Sequence, residues 1–219
     1  MFVIIVAGGV GLRMKTDIPK QFMEICGKPV IFHSIMAFLD ACEGVNLVIV
    51  LCPSQMERWR QLCEIHNFMM PHQIAQGGAT RFHSVKNGLS LIPDKGLVAI
   101  HDAVRPLVSR QTIINCFSEA EKYGSAVPTI PVVDTIREVS QQTNRTLNRS
   151  SLRQIQTPQV FDIARIKKAY QQEYSEAFTD CASVFESDDN TVHLTNGNIE
   201  NIKITTQNDL VIAEALFSR

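Results

Sequence analysis

Two glycine-rich turns, a few cations near them and one carboxylate carry most of the chemistry this chain can offer. The first turn lies in FVIIVAGGVGLRM, where Gly8, Gly9 and Gly11 follow a short apolar run and Arg13 stands two residues beyond Gly11. Lys20 comes next, in Pro19-Lys20-Gln21. Glycine lets backbone N–H groups approach an anion closely. Two cations beside such a nest suit a polyphosphate that gains charge as it reacts. A dinucleotide fingerprint would need a third glycine where Met14 stands, and no Gly-Lys-Ser/Thr follows to make a Walker loop.

The second turn, GGATRFHSV (77–85), precedes a helical pattern. Its backbone N–H groups and Ser84 suit a base or a sugar; the alternative is a plain loop with a helix cap. HDAVRP (101–106) ends an apolar run. An acid at that place, Asp102, suits Mg²⁺, a hard cation that takes one or two carboxylates plus substrate phosphates; the alternative is a cap for the next helix. His101 reads as a packed or hydrogen-bonded structural residue.

These groups need a scaffold that gathers them on one rim. Short β-rich apolar runs recur at 2–7, 45–52, 97–101, 125–133 and 201–206, and such runs read as strands buried on both faces. Helical patterns fall at 30–42, 54–68, 83–92, 110–124 and 161–174. Ser54 with Glu57 has the spacing of a capping box. The alternation predicts an α/β, doubly wound, Rossmann-like and mostly parallel sheet in one domain, 1–219. Such sheets bind ligands beyond the carboxyl ends of their strands. That rule gathers Gly8, Gly9, Gly11, Arg13, Lys20, Asp102, Arg105 and Lys203. The polar stretch at about 134–156 breaks the pattern and reads as a protruding β-hairpin arm.

Composition narrows the partners. A net charge of −1 over 219 residues supplies no global field for nucleic acid, so any anion site is local. The six cysteines form no CxxC pair and no metal-ligand spacing, which points to reduced thiols in a cytoplasmic protein. The N-terminal apolar run is too short for a signal peptide, and no stretch approaches the length of a membrane helix.

AGGVGLRM, PKQF, GGATRFHSV, HDAVRP, PVVDTI, NRSSL, TPQVF, FTDCASVFE and NIKITT occur in that order along the chain. In this it resembles the 2-C-methyl-D-erythritol 4-phosphate cytidylyltransferases, within the wider nucleotidyltransferase (nucleotide-diphospho-sugar transferase-like) superfamily. The resemblance implies transfer of CMP from CTP to the polyol phosphate, with release of pyrophosphate. It implies that Arg13 and Lys20 stabilise charge on the α-phosphate and that Ala7, Gly8, Gly9, Gly11, Gly78, Ser84 and Ala103 line the CTP site. Arg149 and Lys203 would hold the acceptor phosphate, Thr135 and Arg105 would add acceptor contacts, and Asp102 would touch Mg²⁺ (or another divalent cation), the ribose or the acceptor. It also implies a homodimer in which the arm carries Thr135 and Arg149 into the neighbour's site.

Two positions depart from the family pattern. Cys181 stands where a second Asp is usual after Asp180, a loss that is mild if that acid only caps a helix and larger if it orders the acceptor site. Gly8 stands where Ala is common, a change a turn should tolerate. Ribitol-5-phosphate cytidylyltransferase shares the glycine loop, PKQF, HDAVRP and TPQ motifs and is the nearest alternative. An NAD-dependent Rossmann oxidoreductase is a distant one, because it asks for a glycine at 14 and an acid where the second run ends Leu51-Cys52-Pro53.

Overall fold

Strand and helix alternate along the chain in the computed structural model, which describes residues 1–9 and 18–218. β1 (Phe2–Ala7) is followed by a short hairpin, β2 (Glu24–Ile25) with β3 (Lys28–Pro29), then by α1 (Val30–Ala41) and β4 (Asn46–Leu51). Next come α2 (Met56–Ile65), β5 (His72–Gln76), α3 (Arg81–Leu89) and β6 (Leu97–Asp102). α4 (Arg110–Tyr123) leads to β7 (Ser125–Pro131), the hairpin β8 (Arg137–Val139) and β9 (Asn144–Thr146), then β10 (Arg153–Ile155) and β11 (Gln159–Asp162). α5 (Ile163–Ala169), α6 (Cys181–Glu186), β12 (Leu194–Asn196) and α7 (Gln207–Phe217) follow.

One sheet runs in the order β10-β7-β11-β6-β1-β4-β5, with β12 beside β7. β6, β1, β4 and β5 are parallel neighbours; β11 enters antiparallel between β6 and β7. β1 shows why the sheet is covered on both faces. Val3, Ile5 and Ala7 join one core with Phe38 of α1, Trp59 of α2 and Ile113 of α4, whereas Ile4 joins another with Val85 of α3 and Ile166 of α5. Side chains alternate along a strand, so an apolar residue at every position demands a helix layer on each side. The doubly wound, mostly parallel prediction therefore holds, and 137–146 forms the predicted antiparallel hairpin. Among the described residues no helix is long and apolar enough to cross a membrane.

Several boundaries differ from the sequence reading. The run at 201–206 forms no strand: Ile204 N–H bonds a single carbonyl, Val104 O at 2.9 Å, and the Ile204 side chain packs in a small third core with Ile25, Val30 and Ala213. Thr206 then caps α7 by a reciprocal pair with Asp209. The pattern at 161–174 opens as the end of β11, after which Asp162 caps α5 by accepting from Arg165 N–H at 3.0 Å. A short apolar run does not by itself distinguish a buried strand from a buried helix. The expected capping box at Ser54 is absent, since Pro53–Gln55 is a 3-10 turn and Glu57 pairs with Arg60 at 2.9 Å instead. α3 begins earlier than read, capped by Thr80, which puts Ser84 within the helix. β5 lies outside the sequence reading, since only Ile74 and Ala75 of its five residues are apolar.

Candidate active site

Gly8 and Gly9 leave the C-terminal end of β1, where Gln21 holds them from the 3-10 turn Lys20–Phe22. The buried Gln21 side chain donates from Nε2 to Ala7 O and to Gly9 O, both at 3.1 Å, so one amide spans the peptide units around Gly8. The second glycine turn leaves β5 and meets the first. Gly77 N–H bonds Leu51 O at 2.7 Å, and a Cβ on Gly77 would lie 3.3 Å from Gly8 Cα. Ser84 Oγ accepts from Gly78 N–H at 3.0 Å.

The two glycines tolerate side chains differently. A Cβ on Gly78 would lie 2.4 Å from His83 Cβ, which only a backbone shift could relieve. A Cβ on Gly8 would lie 3.0 Å from Ser84 Oγ, so the expected tolerance there depends on that hydroxyl giving way. Gly78→Ala is expected to lower stability by about 1–3 kcal/mol and Gly8→Ala by under about 1 kcal/mol. Chemical denaturation of the two variants checks the ranking; equal losses would contradict it.

Asp102 closes β6 at the same rim, only 7% exposed. It caps no helix, since Ser109 caps α4. Its Oδ1 accepts from Arg81 Nε and Nη2 at 3.3 Å each, its Oδ2 accepts from Lys203 Nζ at 2.7 Å, and Arg105 Nε stands 4.0 Å from Oδ2. Arg105 is tied the other way, donating from Nη1 to Asn201 O at 2.7 Å. Burial alone would raise the Asp102 pKa. Arg81, Lys203 and Arg105 together outweigh it and hold the carboxyl well below the usual carboxylate range. Three cations thus share one anion at the mouth of a cleft of about 580 Å³, lined also by Ala7, Gly8, Gly9, Lys20, Gly78, Ser84 and Ala103.

His101, one residue earlier, is fully buried. Its Nε2 bonds Arg105 O at 3.1 Å and its Nδ1 bonds Thr157 Oγ1 at 3.0 Å, while Thr157 Oγ1 also accepts from Asp102 N–H at 3.1 Å. This is the structural role expected of it. Burial lowers its pKa from 6.5 to about 4. An unfolded histidine takes its proton near 6.5 while the folded one resists until about 4, so the unfolded chain binds more protons in that window. Stability should therefore fall as pH drops through it, by up to about 3 kcal/mol. Urea midpoints between pH 7 and 4 measure this, and His101→Gln should flatten the slope.

Of the anticipated residues, Ala7, Gly8, Gly9, Lys20, Gly78, Ser84, Asp102, Ala103 and Lys203 line the cleft. Arg105 joins them through Asp102. Gly11 and Arg13 lie outside the described residues. Thr135 and Arg149 do not line this cleft; both are exposed on the arm, and Arg149 Nη1 donates to Val133 O. As for a divalent cation, no three His, Cys, Asp or Glu cluster among the described residues. The donor set suits a cation borne on substrate phosphates that touches one carboxylate, rather than a cation held by the chain alone.

Sequence reasoning missed Arg81 and Gln21. Arg81 sits inside the GGATRFHSV turn and Gln21 inside Pro19-Lys20-Gln21, so both were in view, but nothing in their spacing announced a partner. The Asp180-Cys181 pair separates into two tasks. Asp180 caps α6, accepting from Ser183 N–H at 2.8 Å, and takes a bond from Gln159 Nε2 at 2.7 Å. Cys181 caps nothing; its Sγ accepts from Arg81 Nη1 at 3.1 Å.

Comparison with known proteins agrees in sequence and in structure. A model of the family described as 2-C-methyl-D-erythritol 4-phosphate cytidylyltransferase matches residues 1–219. The protein of that name from Phocaeicola vulgatus is 50% identical over 214 residues, covering 98% of each chain. That from Bacillus velezensis is 37% identical, covering 98% of this chain and 94% of its own. The solved 4-diphosphocytidyl-2C-methyl-D-erythritol synthase of Anaerococcus prevotii superposes with a TM-score of 0.85 at 28% identity, covering 100% of this chain and 96% of its own.

Proposed function

The chain belongs to the 2-C-methyl-D-erythritol 4-phosphate cytidylyltransferase family, and from that premise we propose how its cleft works. The enzyme transfers CMP from CTP to 2-C-methyl-D-erythritol 4-phosphate, a step of isoprenoid biosynthesis. A phosphate oxygen of the acceptor attacks the α-phosphorus of CTP in line, a new P–O bond forms, the bond to the β-phosphate breaks, and pyrophosphate leaves. Such a displacement asks the protein for position and charge rather than for covalent help.

The observation that carries this reading is the meeting of the two glycine turns beside a carboxylate shared by three cations. The glycine turns cradle the triphosphate, with Gly78, Ser84 and Ala103 toward base and ribose. Lys20 and Arg13 meet the charge that grows on the α-phosphate. Lys203 and Arg105 take the acceptor phosphate, and Asp102 keeps both cations in place. Asp102 would be the carboxylate contact for Mg²⁺ or another divalent cation, which would supply charge neutralisation at the phosphates. The six free thiols suit action in the cytoplasm. Pyrophosphate release with CTP and each of two acceptors tests the reading: turnover is expected with methylerythritol phosphate, and a clear preference for ribitol 5-phosphate would overturn it.

The arm completes the site in a second copy. Its exposed apolar residues support this, with Val133 at 76% and Val139 at 75% exposure. Thr135 and Arg149 then reach the neighbour's acceptor site. Each of Lys20→Ala and Arg149→Ala alone should be nearly inactive. After subunit exchange their mixture should regain up to about a quarter of wild-type activity, because half the dimers are mixed and each mixed dimer has one intact site. No recovery in a mixture shown to exchange would exclude an arm acting in trans.

A further inference from the structure

Arg81 is gripped from two sides. Nε and Nη2 face Asp102 Oδ1, and Nη1 faces Cys181 Sγ at 3.1 Å. The guanidinium itself reaches the cleft, with its side chain 27% exposed. Cys181 is fully buried. Its N–H and that of Ala182 both donate to Gln159 Oε1 at 3.0 Å, and Gln159 is in turn tied to Asp180, the cap of α6. The Tyr170 hydroxyl is buried on the same side; it interacts with the thiol electrostatically but meets no partner at hydrogen-bond geometry.

We propose that Cys181 is a positioning residue of the reaction: its thiol seats Arg81 without giving it a second anion, so that Asp102 alone balances Arg81, Lys203 and Arg105. Three cations against one carboxylate leave two positive charges facing the incoming phosphates. Burial pushes the thiol above its ordinary pKa, with Arg81 opposing, so the sulfur is a neutral acceptor at neutral pH. A carboxylate in its place would give Arg81 a private counter-ion and cut that excess by half. It would also draw the guanidinium toward α6, away from Asp102. At such short range one charge acts on a bound anion even where water reaches part of the cleft. The side chain at 181 thus sets how tightly the cleft holds phosphate groups, without touching substrate.

The inference rests on the proposed function, and its test separates the two. Wild-type turnover of methylerythritol phosphate checks that reading. Calorimetric binding of inorganic pyrophosphate, which needs no acceptor, checks the inference. Cys181→Asp is expected to weaken pyrophosphate binding and raise the acceptor KM by about tenfold, with a shallower salt dependence and kcat within about threefold of wild type. Cys181→Ser, a neutral acceptor, should match wild type in both. A folded Cys181→Asp with unchanged pyrophosphate affinity and acceptor KM would overturn the proposal. If that variant does not fold, the Ala and Ser variants decide: Cys181→Ala should lose about fivefold in kcat/KM as Arg81 loses its seat, and serine should restore it. Equal behaviour of Ala and Ser would overturn the proposal as well.

Discussion

Lys20→Ala should lower turnover by about 10²-fold or more while CTP still binds, because one preorganised charge withdrawn from a transition state costs roughly 3–4 kcal/mol. Lys20 lines the cleft at the start of its 3-10 turn. Its neighbour Gln21, which fastens Ala7 O and Gly9 O, is untouched by the change. The bonds that Gln21 makes to the cradle are kept, so CTP is expected to bind still. On the role proposed for Lys20, the loss falls on the response to charge that grows on the α-phosphate as the bond to the β-phosphate stretches. The measurement is kcat beside a CTP dissociation constant: a fall in kcat with CTP affinity kept is the expected split. Unchanged turnover would remove Lys20 from the mechanism.

Asp102→Asn should damage stability and activity together. The carboxylate is nearly buried, and its removal leaves Arg81, Lys203 and Arg105 facing one another without an anion. Breaking a buried ion pair from one side costs about 3–5 kcal/mol. The lower end applies here, because the Lys203 side chain is 42% exposed and that of Arg81 27%, so water screens part of the repulsion. A loss of about 3 kcal/mol corresponds to a Tm lower by roughly 6–12 °C in a chain of this size. The same loss should be partly repaired by an anion in the cleft, so pyrophosphate should raise the Tm of the variant more than that of wild type. A variant that melts like wild type, with or without pyrophosphate, would show that the carboxylate does not balance the three cations.

Much of the site was legible in the chain, and the reasons differ residue by residue. Gly8, Gly9 and Asp102 could be placed because each ends an apolar run, and a parallel sheet turns run ends into a rim. Lys203 was placed correctly for a partly wrong reason. It was assigned to a strand, whereas that segment makes one sheet-like bond and otherwise packs Ile204 into the third core. Arg81 and Gln21 went unseen because their roles depend on partners 21 and 12–14 residues away, which local pattern does not encode. The helical pattern at 161–174 takes in the last two residues of β11, because Gln159–Asp162 spans too few positions to show a strand period. The arm was legible for the opposite reason: a polar stretch has no core to join and must leave the body. Cys181 stood out only by departing from a family pattern, and three-dimensional contact with Arg81 was needed to say what the departure touches.

The pairing of Lys203 with Asp102 also has a consequence for how the enzyme comes into being. Every strand of the main sheet ends by Asn196, so the whole sheet has been synthesised before Lys203 is added. A nascent chain that stops there has both glycine turns, Arg81, Arg105 and Asp102 in its sequence, but not Asn201, whose carbonyl holds Arg105, nor Ile204 and Ala213 of the third core. It lacks the cation at 2.7 Å from Asp102 that is assigned to the acceptor. The segment that follows the sheet thus closes both the third core and the Lys203 side of the cleft, so the site is completed only after the sheet has been made.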